Sequence, residues 1–352
     1  MVYTIIELFA GIGGNRIAFE QASSDFKVIL ATDNDKNCYT TYTENFKDDS
    51  HFVLHDINTF DLTTLPKADI VSSSFPCQSF SIAGNRKGLN DIRGSLFFRT
   101  LEVVKVVQPK CLFIENVKNL AKMEGGSVLA LIEQKIRDLG YYPKTTILDA
   151  SKYGVPQHRE RVYIVAFRDP FITAVFNIPI PNINISPFDV IQTSIQCASN
   201  YYYTNATPIG QTICAKVAPG SVYQWRRKYV RENKSGLCPT LTANMGCGGH
   251  NVPIIHDDFG IRKLTPRECF TMQGFPSSFI FPTLSDSTLY KQIGNSVCIP
   301  VIKEIANVIF ILLSTYDMIT NTNGLSISSP SMPMQEQQSK DDVQISILKK
   351  PE

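Results

Sequence analysis

The sequence predicts an α/β protein built on a doubly wound, mostly parallel sheet, with a smaller, irregular β-rich domain appended. Short apolar, β-branched runs recur through the first half of the chain, and helical patterns lie between several of them. After about Pro170 the texture turns proline-rich and aperiodic, with Pro179, Pro181 and Pro187 followed by Tyr201, Tyr202 and Tyr203. Strands that alternate with helices form parallel sheets covered on both faces, and their ligands sit at the carboxyl ends of the strands.

The candidate strands are 4–9, 27–32, 69–73, 111–115, 145–148 and 161–167. In the clearest helix Val128, Leu129, Ile132, Ile136 and Leu139 share one apolar face, with Ser127 as N-cap and Gly140 just past the end. A helical pattern returns over 296–313, apolar almost all round, which implies burial against the first domain. Residues 324–352 are rich in Ser, Gln, Pro, Lys and Asp and read as a disordered tail. The expected organisation is therefore a catalytic domain over 1–180, a second domain over 181–285, a returning helix over 286–318 and a tail over 319–352.

Composition narrows the function. Of 352 residues, 34 are Lys or Arg and 32 Asp or Glu, so the net charge of +2 provides no global field for a polyanion. Any nucleic-acid contact must come from local patches. Nine cysteines without a C-x-x-C pair, and no basic n-region at the start, suggest reduced thiols in the cytoplasm. The longest apolar stretch, 305–313, falls short of the roughly 20 residues a membrane span requires, so no membrane is expected. Cys238, Cys247, His250 and His256 do not follow a standard zinc spacing, and no metal is expected.

Several residues fall where strands should end. The first strand runs into Phe9-Ala10-Gly11-Ile12-Gly13-Gly14, a turn that lets backbone approach a ligand at a helix N-terminus. It is not G-x-G-x-x-G, so a nucleoside ligand fits better than a dinucleotide. Asp33 and Asp56, the latter followed by Ile57, end the next two extended segments and could accept from ribose hydroxyls and an adenine amine, or cap helices. Pro76-Cys77-Gln78 follows the strand at 69–73, where a thiolate would need positive neighbours such as Arg159 and Arg161. Glu115 closes another apolar strand and either caps a helix or works in the cleft as an acid. Between Trp225 and Lys234 lie Arg226, Arg227, Lys228, Arg231 and Lys234 against a single Glu232: phosphate contacts or a solvated loop.

Taken together, these segments resemble the DNA cytosine-5 methyltransferase family, most closely its compact bacterial modification enzymes. The resemblance rests on the glycine loop, Pro76-Cys77-Gln78, Glu115-Asn116-Val117 and Gln157-His158-Arg159-Glu160-Arg161. It continues through Arg262 to Cys269 with Gln273-Gly274-Phe275-Pro276, and ends at Gln292-Ile293-Gly294-Asn295-Ser296-Val297. It implies a Rossmann-like methyltransferase fold and S-adenosylmethionine as donor, held by Phe9, Ala10, Gly11, Gly13, Gly14, Asp33, Asp56, Ile57, Asn295 and Ser296. It further implies Cys77 as nucleophile toward cytosine carbon 6, Glu115 on ring nitrogen 3 and the amine, Arg161 on the carbonyl and Arg159 in support. The alternative for the two arginines is a pair on neighbouring phosphates.

Ser81, Arg86 and Arg93 would belong to a mobile loop over 79–96 that, together with Gln78, touches DNA, and the loop would close over an extruded base. The second domain would read sequence, with Arg226, Arg227, Arg231 and Lys234 on phosphates and Thr240, Thr242 and Asn244 at base edges. A monomer acting on double-stranded DNA, alongside a restriction endonuclease of the same site, is the expected setting. Two departures stand out: Asn34, where relatives carry a bulkier residue, and the tail. A tRNA methyltransferase of the same family and a catalytically silent DNA-binding module are the alternatives; a nicotinamide dehydrogenase would leave Cys77, Glu115 and the arginines unexplained.

Overall fold

A computed structural model describes residues 1–47, 51–76, 96–248 and 251–323. Its larger sheet contains β1 (Tyr3–Leu8), β2 (Phe26–Asp33), β3 (Phe52–Leu54), β4 (Ile70–Ser73), β5 (Cys111–Val117), β6 (Tyr142–Asp149) and β7 (Glu160–Phe167). The strand order is β3-β2-β1-β4-β5-β7-β6. All neighbours are parallel except β7, which runs antiparallel to both β5 and β6. The order reverses between β1 and β4, which opens a crevice at their carboxyl ends.

The helices of this layer are α1 (Gly14–Ala22), α2 (Lys36–Asn45), α3 (Leu96–Val107), α4 (Ser127–Asp138) and α5 (Pro170–Val175). Alternation along the central strands sends side chains to two cores. Tyr3 and Ile5 of β1 join one cluster with Ile17, Phe19 and Phe26, while Ile6 and Leu8 join the other with Phe97, Val104, Ile132 and Ile136. α4 begins one residue from where the pattern placed its cap: Gly126, at φ 97°, is the N-cap and Ser127 is the first helical residue.

The remainder folds as α6 (Pro208–Cys214), β8 (Tyr223–Trp225), β9 (Val230–Glu232), β10 (Pro253–Asp257), β11 (Gly260–Lys263), α7 (Pro266–Thr271), α8 (Asp286–Asn295) and α9 (Ile299–Asn323). β8 to β11 form an antiparallel sheet in the order β11-β10-β8-β9. Its short strands escaped the sequence reading because polar and proline residues interrupt their alternation. Arg262, fully buried, bonds Asp257 and both carboxylate oxygens of Glu268, which ties β10 and β11 to α7.

The expected single helix over 296–313 is instead a break and a longer helix. Ser296 is the C-cap of α8, and α9 runs 25 residues to Asn323. Ile302, Ile305, Ala306, Ile309 and Leu313 are buried, while Ile311, Met318 and Ile319 are more than half exposed, so α9 is amphipathic. The segment Asp286–Asn321, which includes the break at Ser296, is long and apolar enough to cross a membrane by composition alone, as a core helix also can be, and half of its most apolar window is buried within the fold. α9 packs on α1.

Beneath the glycine turn lies a buried carboxyl, Glu7 of β1, 1% exposed. The backbone N–H of Arg16 and the hydroxyl of Tyr42 donate to it. Desolvation dominates the Arg16 charge nearby and pushes its pKa up to about 8. The native state therefore holds a proton that the unfolded chain has released, and the associated stability is lost as pH rises from about 4.5 through about 8. Glu7→Gln should flatten this dependence: in thermal melts between pH 5 and 8 the wild type should lose stability relative to the variant by on the order of 1 kcal/mol per pH unit.

Candidate active site

A cavity of about 690 Å³ opens at the carboxyl ends of β1, β2, β4 and β5. β1 delivers Phe9, Ala10 and Gly11 to its wall, and Gly14 opens α1 there. Phe9 and Gly11 both have positive φ, 57° and 55°, which turns the chain sharply beneath the opening. Gly13 does a different job from the one expected of it. It is the left-handed N-cap of α1 and is not among the cavity walls; a Cβ there would lie 2.5 Å from the Phe46 ring.

Asp33 and Asp56 reach the cavity with some of their oxygens already engaged. One Asp33 oxygen accepts from the Gly11 N–H at 2.9 Å and the other from the Asp35 N–H at 2.9 Å, so Asp33 holds the glycine turn against β2. Burial raises its pKa despite these bonds. Asp56 Oδ1 accepts from the backbone and side chain of Asn58, the turn-capping alternative, while Asp56 and Ile57 still line the cavity. Asn295 and Ser296 face them from the end of α8, and Asn34, the departure noted above, lies in the same wall.

β4 leads through Ser74 and Phe75 to Pro76, which lines the cavity. Cys77, Gln78, Ser81, Arg86 and Arg93 lie outside the described residues. The stem that precedes them is pinned from three sides. Asn116 donates to the Phe75 carbonyl at 2.9 Å, Asn15 donates to the hydroxyls of Ser72 and Ser74, and Ser73 pairs with Thr100. Asn15 was missed in the sequence, because an asparagine following a glycine turn reads as a helix start.

Glu115, 8% exposed, stands in the same cavity, with Arg161 Nε 3.2 Å from its Oε1. The antiparallel course of β7 explains this pairing: the beginning of β7 lies beside the end of β5, with Val117 opposite Arg161. Burial raises the Glu115 pKa, and the Arg161 and Arg159 charges oppose without reversing that shift. Glu115 caps no helix.

Arg159 is 2% exposed, which rules out the alternative of a phosphate contact at the surface. Its guanidinium lines the cavity but donates to the carbonyls of Leu241, at 2.8 Å, and Ser296. Burial, then Arg161, pushes its pKa down to about 9, so it stays charged at neutral pH. Gln157 accepts from the Leu241 N–H at 3.0 Å. Both backbone polar groups of Leu241 are thus held by the segment that starts β7. Gly294 completes the junction, since a Cβ there would fall 2.1 Å from the Thr242 carbonyl carbon.

A second cavity, about 590 Å³, lies beside that junction and is lined by Arg226, Arg227, Arg231, Thr240, Thr242 and Asn244. Lys234 is not among its walls. Thr240 is less available than expected, because its hydroxyl donates to the His158 carbonyl at 2.6 Å. Gln224, Asn233 and Asn251 also line it and gave no signal in the sequence.

The fold is that of the S-adenosylmethionine-dependent methyltransferases. A Spodoptera frugiperda DNMT2 mutant superposes with a TM-score of 0.70 at 21% identity, over 88% of this chain and 99% of that one. A putative DNA modification methyltransferase of an Escherichia coli prophage gives 0.66 at 20% identity, over 89% and 99%. The profile of the C-5 cytosine-specific DNA methylases matches residues 3–311, and the chain belongs to that family. Type II methyltransferase M.Bsp6I of Bacillus sp. (strain RFL6) is 45% identical over 314 residues, 87% of this chain and 98% of that protein. M.HpaII of Haemophilus parainfluenzae is 35% identical over 86% of this chain and 87% of its own length.

S-adenosylmethionine is the methyl donor of this family, and the cavity fits it: there is open space beside Gly11, where a Cβ would meet nothing within 4 Å, and both Asp33 and Pro76 stand in its wall. The Arg159 contacts give a further expectation. Arg159→Leu leaves buried carbonyls without a donor and should destabilise the fold by about 3 kcal/mol, read by denaturant unfolding.

Proposed function

We propose that this chain methylates carbon 5 of one cytosine within a short double-stranded DNA site, as the modification enzyme of a restriction-modification system. The observation that carries the reading is the convergence of a glycine turn, a buried Glu115–Arg161 pair and Pro76 on one cavity. S-adenosylmethionine supplies an electrophilic methyl group. Cytosine carbon 5 is too weak a nucleophile to take it unaided, so Cys77, the residue after Pro76, adds to carbon 6. Glu115, whose burial favours the protonated form, donates toward ring nitrogen 3 or shares a proton with it and stabilises the charge that develops there. Arg161 orients Glu115 and reaches the cytosine carbonyl. Carbon 5 would then take the methyl as the donor's S–CH3 bond breaks and S-adenosylhomocysteine leaves as a neutral thioether; a base removes the carbon 5 proton, and those electrons re-form the ring double bond as the Cys77 thiolate departs from carbon 6.

A stacked base hides carbon 6, so the cytosine must leave the duplex, and Gln78, Ser81, Arg86 and Arg93 are the expected DNA contacts there. Asp33, Asp56 and Ile57 hold the adenosine end of the donor. The second cavity faces the DNA. The chain works as a monomer in the cytoplasm, partnered only through a shared site with a restriction endonuclease.

Duplex DNA carrying 5-fluorocytosine tests this, because its fluorine cannot leave as a proton does. With donor present, wild type should form a denaturation-stable protein–DNA adduct that Cys77→Ala does not form. Adduct formation by Cys77→Ala, or none by wild type on DNA it methylates, contradicts the covalent route.

A further inference from the structure

Arg226, Arg227 and Arg231 share the second cavity but are not equivalent. β8 and β9 form a hairpin in which Gln224 lies directly opposite Arg231. Alternation sends Tyr223, Trp225 and Val230 to the small core around Ile213 and Ile254, and Gln224 and Arg231 to the other face, toward the cavity. Arg226 and Arg227 belong to the turn of that hairpin, where the Arg226 N–H bonds the Tyr229 carbonyl and Arg227 has φ 67°.

Gln224 is 4% exposed, and both ends of its amide are used. Its nitrogen donates to the Asn251 carbonyl at 3.3 Å, which fixes the amide orientation and turns its oxygen to Arg231. That oxygen accepts from Arg231 Nη2 at 3.0 Å. Among the described residues no carboxylate pairs with Arg231, and one of its five N–H groups is engaged by Gln224. Arg231 is exposed, so the rest of its donor fork is open to a ligand in a cavity whose lining includes the uncharged Thr242, Asn233 and Asn244, while Gln224 anchors one N–H.

We infer that Arg231, aimed by Gln224, reads a guanine base edge in the major groove, whereas Arg226 and Arg227 contact phosphates. Guanine presents two acceptors there, O6 and N7, that match a donor fork; adenine offers one acceptor and one donor, which would oppose N–H to N–H. A phosphate needs no fixed angle and is served by the hairpin turn. Arg231 thereby determines specificity at one G·C pair of the methylated site. The inference rests on the second cavity facing DNA.

Bisulfite sequencing of DNA from a host expressing the wild-type chain defines the methylated site. Duplexes with 7-deazaguanine in place of each guanine in turn then delete one N7 acceptor at a time. At one position the wild type should lose roughly tenfold in affinity while Arg231→Ala loses nothing further, and Arg231→Ala should methylate sites carrying another base there. Arg231→Met keeps an unbranched stem and removes every donor, and should show the same relaxation should the alanine variant fail to fold. Arg226→Ala should instead weaken binding on every duplex and reduce the salt dependence. Equal 7-deazaguanine losses in wild type and the Arg231 variants, or an unchanged methylated sequence in those variants, overturns the inference. A wild-type chain that deposits no 5-methylcytosine on any DNA overturns the proposed function, and this assignment with it.

Discussion

The proposed chemistry depends on a carboxyl group kept out of water beside a guanidinium. Glu115 is almost fully buried, and Arg161 approaches it at 3.2 Å. Two opposing costs meet there. Desolvation disfavours the ionised carboxylate, and the neighbouring arginine favours it; the net direction is upward. The upward shift favours the protonated form, which can donate a hydrogen bond to a ring nitrogen where the ionised form cannot. In the proposed reaction that donation is what makes the pyrimidine susceptible to a thiolate.

The fold delivers this pair through one irregularity. Had β7 continued the parallel pattern, its carboxyl end would have met the crevice and its beginning would have lain at the far edge. Because β7 reverses, Arg159 and Arg161 arrive beside the end of β5. The same segment grips both polar groups of Leu241 through Gln157 and Arg159. The walls of the second cavity begin one residue away on either side of Leu241, at Thr240 and Thr242. The two cavities therefore share one hydrogen-bonded junction, which links the 240–244 segment to the start of the strand that carries Arg161.

Much of this was legible in the sequence, and the exceptions have physical causes. The strands of the large sheet announce themselves because burial on both faces demands nearly continuous apolar runs, as in Cys111–Val117. Glu115 and the glycine turn stood out because each violates the local pattern at a strand end. The small sheet did not, since strands of three to five residues carry too few alternations. Arg159 was read as a pocket or phosphate residue; its actual partners are backbone carbonyls more than 80 positions away, at Leu241 and Ser296, and no local pattern encodes that. Gln224 was silent for a similar reason, because its importance lies in a cross-strand neighbour. Gly13 was legible as a necessary glycine but not for its reason, the Phe46 ring packed against it.

The account turns on the protonation state of one side chain, which can be read directly. Carbon-13 NMR of protein labelled at glutamate side-chain carboxyls, with the Glu115 resonance assigned by its loss in Glu115→Gln, gives its titration curve. The midpoint should lie above the ordinary glutamate range, and higher still in Arg161→Gln, where the opposing charge is gone. A Glu115 that titrates at or below the ordinary range would leave the buried carboxyl ionised at neutral pH and unable to donate, contradicting the account.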